Sequence, residues 1–307
     1  MVQMGEWVWM EGDWVPFAQS SVSIVTHSLH YGLAAFDGLR AYKTAKGPAI
    51  FRLPEHARRF VNSCKVAEMP IRFDQAAIEA AHVEAIKRNK HEACYLRPLA
   101  WYGHEKVGLN TQGMTAKCAL MTWEWGAYLG DEGLENGIRC VTSSYTRHHP
   151  NISLTRAKIS GNYVNSQIAK AEAVENGYDE ALMLDPEGYV VEGTGENLFV
   201  VEGNDLVTPP KGSILPGITR STIMTLAKAE GMKVREERID RGRLYLADEV
   251  FLTGTAAEVT PVREIDRKAI GIGKAGDRTK TLQKMYFKVV RGELPEYMDW
   301  LTVVPLD

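Results

Sequence analysis

Lys158 stands in Thr155-Arg156-Ala157-Lys158-Ile159-Ser160-Gly161-Asn162-Tyr163, between an expected extended run and a helix expected to open near Gly161-Asn162. One lysine among seventeen means little by itself. Farther along, Tyr189-Val190-Val191 runs into Glu192, and two turns bearing glycine and threonine follow at Gly217-Ile218-Thr219 and Gly254-Thr255-Ala256. An amine can condense with a carbonyl, an acid can hold a proton on a ring nitrogen, and such turns can take a phosphate. Together these are the parts of a pyridoxal phosphate site.

Each part carries a physical demand. A Schiff-base lysine must lose its proton near neutral pH although its ordinary pKa is about 10.4, so burial or a nearby positive charge has to lower it. Arg156 is adjacent in sequence, but alternation can point it elsewhere, and it is assigned no role. Displaced by a substrate amine, the same lysine is placed to move a Cα proton. Glu192, after two valines, is either a partnered buried acid or the solvated end of a strand, and both readings stand here. Leu215-Pro216-Gly217-Ile218-Thr219-Arg220 leads into a helix expected over Ser221–Gly231, whose opening N–H groups would face an anion. Gly254-Thr255-Ala256-Ala257 would add a hydroxyl and more backbone donors at a strand end.

These residues need a scaffold. Glu6 to Val15 reads as a hairpin around a Gly-Asp turn, and Leu33 to Tyr42 as turn and strand. A helix starts at Leu53-Pro54, with the proline in its first turn, and a second covers Ala76 to Lys90. Strands are expected at Ala93–Leu99, Cys118–Thr122, Ile138–Ser143, Glu180–Leu184, Tyr189–Glu192, Leu198–Val201 and Glu249–Leu252, with helices near Tyr163–Asn176 and Arg278–Arg291. Clustered strands with interspersed helices imply an α+β fold. The Gly-rich, acidic stretch after Trp125 suggests a division into 1–125, an interdomain loop 126–136, and 137–307.

Composition narrows the function classes. The 307 residues are 45% hydrophobic and 24% charged with a net charge of −3, which argues against a nucleic-acid partner. The opening Met1-Val2-Gln3-Met4-Gly5-Glu6-Trp7 lacks the pattern of a signal peptide. No apolar run approaches the ~20 residues needed to cross a bilayer. Cys64, Cys94, Cys118 and Cys140 form no C-x-x-C pair and read as buried thiols of a reducing, cytoplasmic compartment. His27 with His30, and His148 with His149, lack carboxylates at ligand spacing, so no metal is expected. Gly193-Thr194-Gly195 lacks the third glycine of a dinucleotide fingerprint.

Taken with further stretches, the set resembles the fold-type IV pyridoxal phosphate enzymes, most closely the bacterial branched-chain amino acid aminotransferases. The stretches are Ser28-Leu29-His30-Tyr31-Gly32, Phe36-Asp37-Gly38-Leu39-Arg40, Tyr95-Leu96-Arg97-Pro98, Trp125-Gly126-Ala127-Tyr128, Val191 through Phe199, Leu215 through Arg220, and Gly254 through Glu258, in family order. The resemblance implies a smaller N-terminal α/β domain and a larger C-terminal domain with a β-barrel-like core, like D-amino acid aminotransferase. It implies that Lys158 bonds to pyridoxal 5'-phosphate, Glu192 meets the pyridine nitrogen, and Tyr163 lies against the phenolic oxygen. Arg59, Ile218, Thr219 and Thr255 would hold the phosphate. Tyr95 and the Thr255-Ala256 amides would take the substrate α-carboxylate. Arg97 would take the distal carboxylate of glutamate, helped by Tyr31 from a neighbouring subunit, and Phe36, Trp125 and Leu109 would wall the side-chain pocket.

The implied reaction is ping-pong transfer of the amino group of L-leucine, L-isoleucine or L-valine to 2-oxoglutarate, by a homo-oligomer that is at least a dimer and possibly a hexamer. A D-amino acid or (R)-amine transaminase is the alternative on this fold, against which Tyr95-Leu96-Arg97-Pro98 speaks. An aminodeoxychorismate lyase is another, disfavoured by Phe36 and Trp125. Two departures stand out: Asp37 replaces the glutamate common in these enzymes, and the loop from Gly103 to Leu109 is unusually charged and ends on a bulky residue.

Overall fold

The computed structural model describes residues 3–126 and 128–305. Met1, Val2, Ala127, Leu306 and Asp307 lie outside the described residues, and with them the first two residues of the opening stretch and the third residue of Trp125-Gly126-Ala127-Tyr128. The chain divides into two compact units. The first comprises Met1–Trp125, Ala157–Gly161 and Lys288–Asp307, and the second Gly126–Arg156 and Asn162–Phe287.

The first unit is built on an eight-stranded sheet. Its order is Leu301–Val303, Gly47–Phe51, Leu39–Thr44, Cys94–Trp101, Lys117–Trp123, Trp7–Met10 and Asp13–Pro16, with Ala34–Phe36 also paired to Cys94–Trp101. Every pairing is antiparallel. The first hairpin turns at Glu11-Gly12, one residue earlier than expected, with φ of 57° and 101°. A turn that needs left-handed backbone at both positions matches the twist of the flanking strands, and glycine adopts it without strain.

The helix Leu53–Val66 carries Pro54 in its first turn and buries Leu53, His56, Ala57, Phe60, Ser63 and Cys64. That spacing is a single face of a 3.6-residue repeat. Phe60 is wholly buried, a burial worth about 1.5–3 kcal/mol. The helix Gln75–Asn89 is capped by Asp74, whose Oδ1 accepts from Ala77 N at 2.8 Å.

In the second unit six strands close on themselves. Val190–Gly193, Glu180–Leu184, Ile138–Thr146, Glu258–Ile265, Glu249–Gly254 and Asn197–Glu202 follow one another, and Glu192 pairs back with Asn197 to complete a barrel. Asp205–Thr208 and Lys233–Glu236 extend it outward. Three pairings are parallel and the rest antiparallel, so the α+β reading with a barrel core holds.

The two compact units are not continuous along the chain. Leu301–Val303 pairs with Gly47–Phe51 and returns the C-terminal segment to the first sheet, where the expected division ran 137–307 together. Ala157–Gly161, including Lys158, also belongs to the first unit: Ile159 bridges Ala35, and Phe36 N donates to Lys158 O at 3.0 Å. Nor is 126–136 a bare loop, since Asp131–Asn136 is a short helix of the second unit.

Candidate active site

Lys158 is held at its backbone. Its N–H donates to Ser63 Oγ at 3.0 Å, and its carbonyl takes the Phe36 N–H. Gly161 allows a close approach of two backbones, because a Cβ there would come 3.1 Å from Gly32 O. Desolvation, and then the charge of Arg59, bring the Lys158 ammonium down to about 8, with Asp37 and Tyr95 opposing. The sequence reading asked for burial or a nearby cation, and the chain supplies both. The cation is Arg59, not the adjacent Arg156, whose Nε donates to Lys211 O at 3.3 Å.

Around Lys158 stands an aromatic box that holds the Arg97 guanidinium. Lys158 Nζ lies 4.9 Å from the Phe36 ring centre, and Arg97 Cζ lies 4.7 Å from the same ring. Arg97 Nη2 donates to the Tyr95 hydroxyl at 3.1 Å. Tyr95 packs on Trp123 at 4.8 Å and edge-on to Trp125 at 4.9 Å. A Cβ on Gly38 would sit 1.8 Å from the Tyr95 hydroxyl, so only glycine permits that hydroxyl its place. The structure thus brings Lys158, Phe36, Tyr95, Arg97 and Trp125 together.

Arg59 is anchored from behind by a residue that the sequence reading marked only as a departure. Asp37, wholly buried, takes Arg59 Nε on Oδ2 at 2.7 Å and Arg59 Nη2 on Oδ1 at 2.8 Å. Oδ1 also accepts from Gly38 N and from His56 Nδ1, both at 2.7 Å. An ionised carboxylate only accepts, so His56 carries its proton on Nδ1. Burial alone would raise the Asp37 carboxyl; the charges of Arg59 and His56 overcome it and hold the group well below the ordinary carboxylate range. Burial lowers the His56 imidazole in turn.

In the second unit Glu192 and the turn Leu215–Gly217 meet at Asn197. Glu192 is 5% exposed, which settles its reading as a partnered buried acid. Its Oε1 is 2.7 Å from Arg147 Nε, and Oε2 accepts from Asn197 Nδ2 at 3.4 Å and Leu215 N at 3.3 Å. Asn197 Nδ2 also donates to Leu215 O at 3.0 Å, and its backbone is in register with Thr253, just before the Gly254-Thr255-Ala256 turn. The helix begins at Ile218, not Ser221, and runs to Ala229 with Gly217 as its N-cap and no side-chain cap. Ile218 and Thr219 therefore open a helix whose N-cap residue offers no side-chain acceptor to the first N–H groups, a condition that favours anion binding. Thr255 and Ala256 form the turn between Glu249–Gly254 and Glu258–Ile265, and Tyr163 opens the helix Tyr163–Glu175.

Arg147 and Asn197 were missed as partners of Glu192. Asn197 stands within a quoted stretch and had a signal; Arg147, distant in sequence, had none. A second buried acid, Glu196, is pushed up to about 8 by burial and by Glu180. Glu180 itself accepts from Lys170 Nζ and Thr194 Oγ1, each at 2.8 Å. Tyr31 and Leu109 are not in the Lys158 cluster. They are 44% and 83% exposed on a surface where Gly108 N donates to the Tyr31 hydroxyl at 3.0 Å.

An activated lysine with a guanidinium in an aromatic box, and a barrel presenting a buried acid beside an uncapped helix start, are the equipment of transamination. Residues 34–265 match the family model of amino-transferase class IV. The branched-chain-amino-acid aminotransferase of Pseudomonas aeruginosa is 47% identical over 297 residues, 97% of each chain. A branched-chain amino acid aminotransferase from T.th., solved with pyridoxamine 5'-phosphate, superposes with a TM-score of 0.96 at 48% identity, covering 99% of this chain and 100% of that one. The same enzyme complexed with N-(5'-phosphopyridoxyl)-L-glutamate gives 0.94 at 48% identity, covering 98% and 99%. The chain belongs to the class IV amino-transferases, among the branched-chain-amino-acid aminotransferases.

Proposed function

We propose that this chain transfers the amino group of L-leucine, L-isoleucine or L-valine reversibly to 2-oxoglutarate, with pyridoxal 5'-phosphate as cofactor. The observation that carries the reading is Arg97 inside the Phe36–Tyr95–Trp123 box, within the same cluster as Lys158. An aliphatic side chain gains about 0.8 kcal/mol per CH₂ against such walls. A distal carboxylate gains a charge-assisted pair with the guanidinium. With an aliphatic substrate present, Arg97 keeps its bond to Tyr95 and its stacking on three rings, so the cation is not stranded.

Arg59, Ile218, Thr219 and Thr255 are assigned to the cofactor phosphate, Glu192 to the ring nitrogen and Tyr163 to the phenolic oxygen. Each unit's own groups suit its part: the first holds a guanidinium fork, and the second a helix start without a side-chain cap and a buried acid. Bound here, pyridoxal phosphate would supply an electrophilic carbon, bonded first to the Lys158 amine and then to the substrate amine, and a conjugated ring able to spread the electron pair left when a Cα proton departs. Displaced by the substrate amine and free again, Lys158 Nζ, lowered to about 8, takes that proton and returns it. Tyr95, fixed by Arg97 and Gly38, with the Thr255 and Ala256 amides, orients the substrate carboxylate. Arg147 holds Glu192 at one oxygen and so sets the direction of the other.

The chain works as a homo-oligomer, at least a dimer. Ile24, Leu29, Val107 and Leu109 are exposed on segments tied by His27 N donating to Gly103 O, and these segments also carry Tyr31, the residue assigned to a neighbour's site. Among the described residues no helix is long and apolar enough to cross a membrane. We place the enzyme in the cytoplasm, in keeping with four buried free thiols.

The test is a steady-state assay on the wild type and Arg97→Ala. The wild type forms L-glutamate from L-leucine and 2-oxoglutarate, and none from D-leucine. Arg97→Ala loses kcat/KM for 2-oxoglutarate at least tenfold more than for L-leucine. Equal losses, or activity on D-leucine, would refute the reading.

A further inference from the structure

We infer that Asp37 is the positioning residue for Arg59: its carboxylate aims the guanidinium at the cofactor phosphate and ties that aim to the backbone that carries Lys158. The inference rests on the proposed function, and the geometry behind it is independent of the aromatic box.

A guanidinium is planar, so two of its nitrogens held against one carboxylate fix its plane and the direction of the third. Asp37 holds Nε and Nη2 in this way, at 2.7 and 2.8 Å. The carboxylate is itself immobile. Gly38 N and His56 Nδ1 both donate to Oδ1, and the Asp37 backbone N–H donates to Pro98 O at 3.1 Å. His56 and Arg59, three residues apart on the helix Leu53–Val66, reach the same carboxylate from neighbouring positions. Ser63, one turn beyond Arg59, accepts the Lys158 N–H and donates its own hydroxyl to Arg59 O at 2.8 Å.

The dipeptide Phe36-Asp37 joins the two halves. Phe36 N donates to Lys158 O and Asp37 holds the Arg59 fork, so the amine and the phosphate anchor are placed by consecutive residues. A group bonded at one end and gripped at the other needs that spacing fixed within a few tenths of an ångström. A longer acid would bring one more methylene into a site with no exposed surface and four donors already in place, and would have to leave at least one of them.

A role that is only neutralisation of a buried cation makes the opposite prediction. Removing the negative charge would then leave Arg59 more attractive to a phosphate, and cofactor affinity would hold or rise.

The experiment is an equilibrium titration of apoprotein with pyridoxal phosphate, and separately with pyridoxal, for the wild type, Asp37→Asn, Arg59→Lys and the double variant. Positioning predicts that Asp37→Asn weakens pyridoxal phosphate binding at least tenfold. In the Arg59→Lys background the same change costs less than twofold, because the fork it aims is already gone. Pyridoxal, which has no phosphate, shifts less than twofold throughout. Equal losses in both backgrounds, unchanged or tighter binding, or a parallel loss for pyridoxal would overturn the role. Should Asp37→Asn fail to fold, Asp37→Glu replaces it in both backgrounds: a loss of threefold or more confined to the Arg59 background supports the inference, and wild-type affinity overturns it. A wild type that binds no pyridoxal phosphate would instead sink the proposed function itself.

Discussion

The proposed chemistry turns on a proton that Lys158 gives up about two pH units early. Desolvation is the first cause and Arg59 the second, and together they bring the amine to about 8. The ordinary value is about 10.4. Between those two pH values the unfolded chain binds a proton at this site that the folded chain does not, so this site's contribution to stability rises with pH across the window and is least favourable below 8. Attachment of pyridoxal phosphate to apoprotein, trapped by borohydride at short times, should therefore accelerate with pH and level off near 8. A rate still climbing at pH 10 would show that the amine is not activated. The requirement was legible in the sequence, but its source was not. Arg156 is adjacent to Lys158 only along the chain, whereas Arg59 is brought in by a helix ninety-odd residues away. Glu192 shows the same limit. Two valines before an acid cannot say whether the acid is buried, because the answer lies with Arg147 and Asn197.

At the scale of elements, the uncapped helix start depends on a side chain from another strand. A Cβ on Gly217 would lie 2.0 Å from Asn197 Oδ1, although the Gly217 φ of −68° suits any residue. Gly217→Ala should displace Asn197 from both Glu192 and Leu215, at a cost of about 1–3 kcal/mol. At Gly195, a Cβ would meet nothing within 4 Å, and Gly195→Ala should change stability by no more than about 0.5 kcal/mol. Urea unfolding of the two variants checks this, and equal stabilities would contradict the packing around Asn197. Elements with a strong local signal were readable. Leu53–Val66 announces itself by Pro54 and its apolar repeat, and Glu180–Leu184 falls where expected. The strand Glu258–Ile265 was missed because Pro261 lies inside it, and proline normally marks a strand's limit. Here the parallel partner begins only at Val262, so Pro261 escapes that ladder. Asp205–Thr208 and Lys233–Glu236 are short, and their charged residues hid them.

Over the whole molecule the chain does not respect its own order. It leaves the second unit to place Lys158 in the first, returns at Asn162, and finishes with Leu301–Val303 at the edge of the first sheet. A boundary drawn where composition shifts cannot see segments that come back, because strand pairing between distant residues leaves no local mark. The fold class was legible in its clustered strands and interspersed helices, whereas the returning segments were not, since a sheet edge accepts many residue types. The central claim is that Lys158 carries pyridoxal phosphate in a site shaped for L-branched-chain substrates. The most direct test is the absorbance spectrum of the purified protein before and after L-leucine, with Lys158→Ala beside it. The account predicts a cofactor band at the edge of the visible that L-leucine shifts and D-leucine does not, and that is absent from Lys158→Ala. A band indifferent to L-leucine but responsive to D-alanine, or no band after pyridoxal phosphate is added, would contradict it.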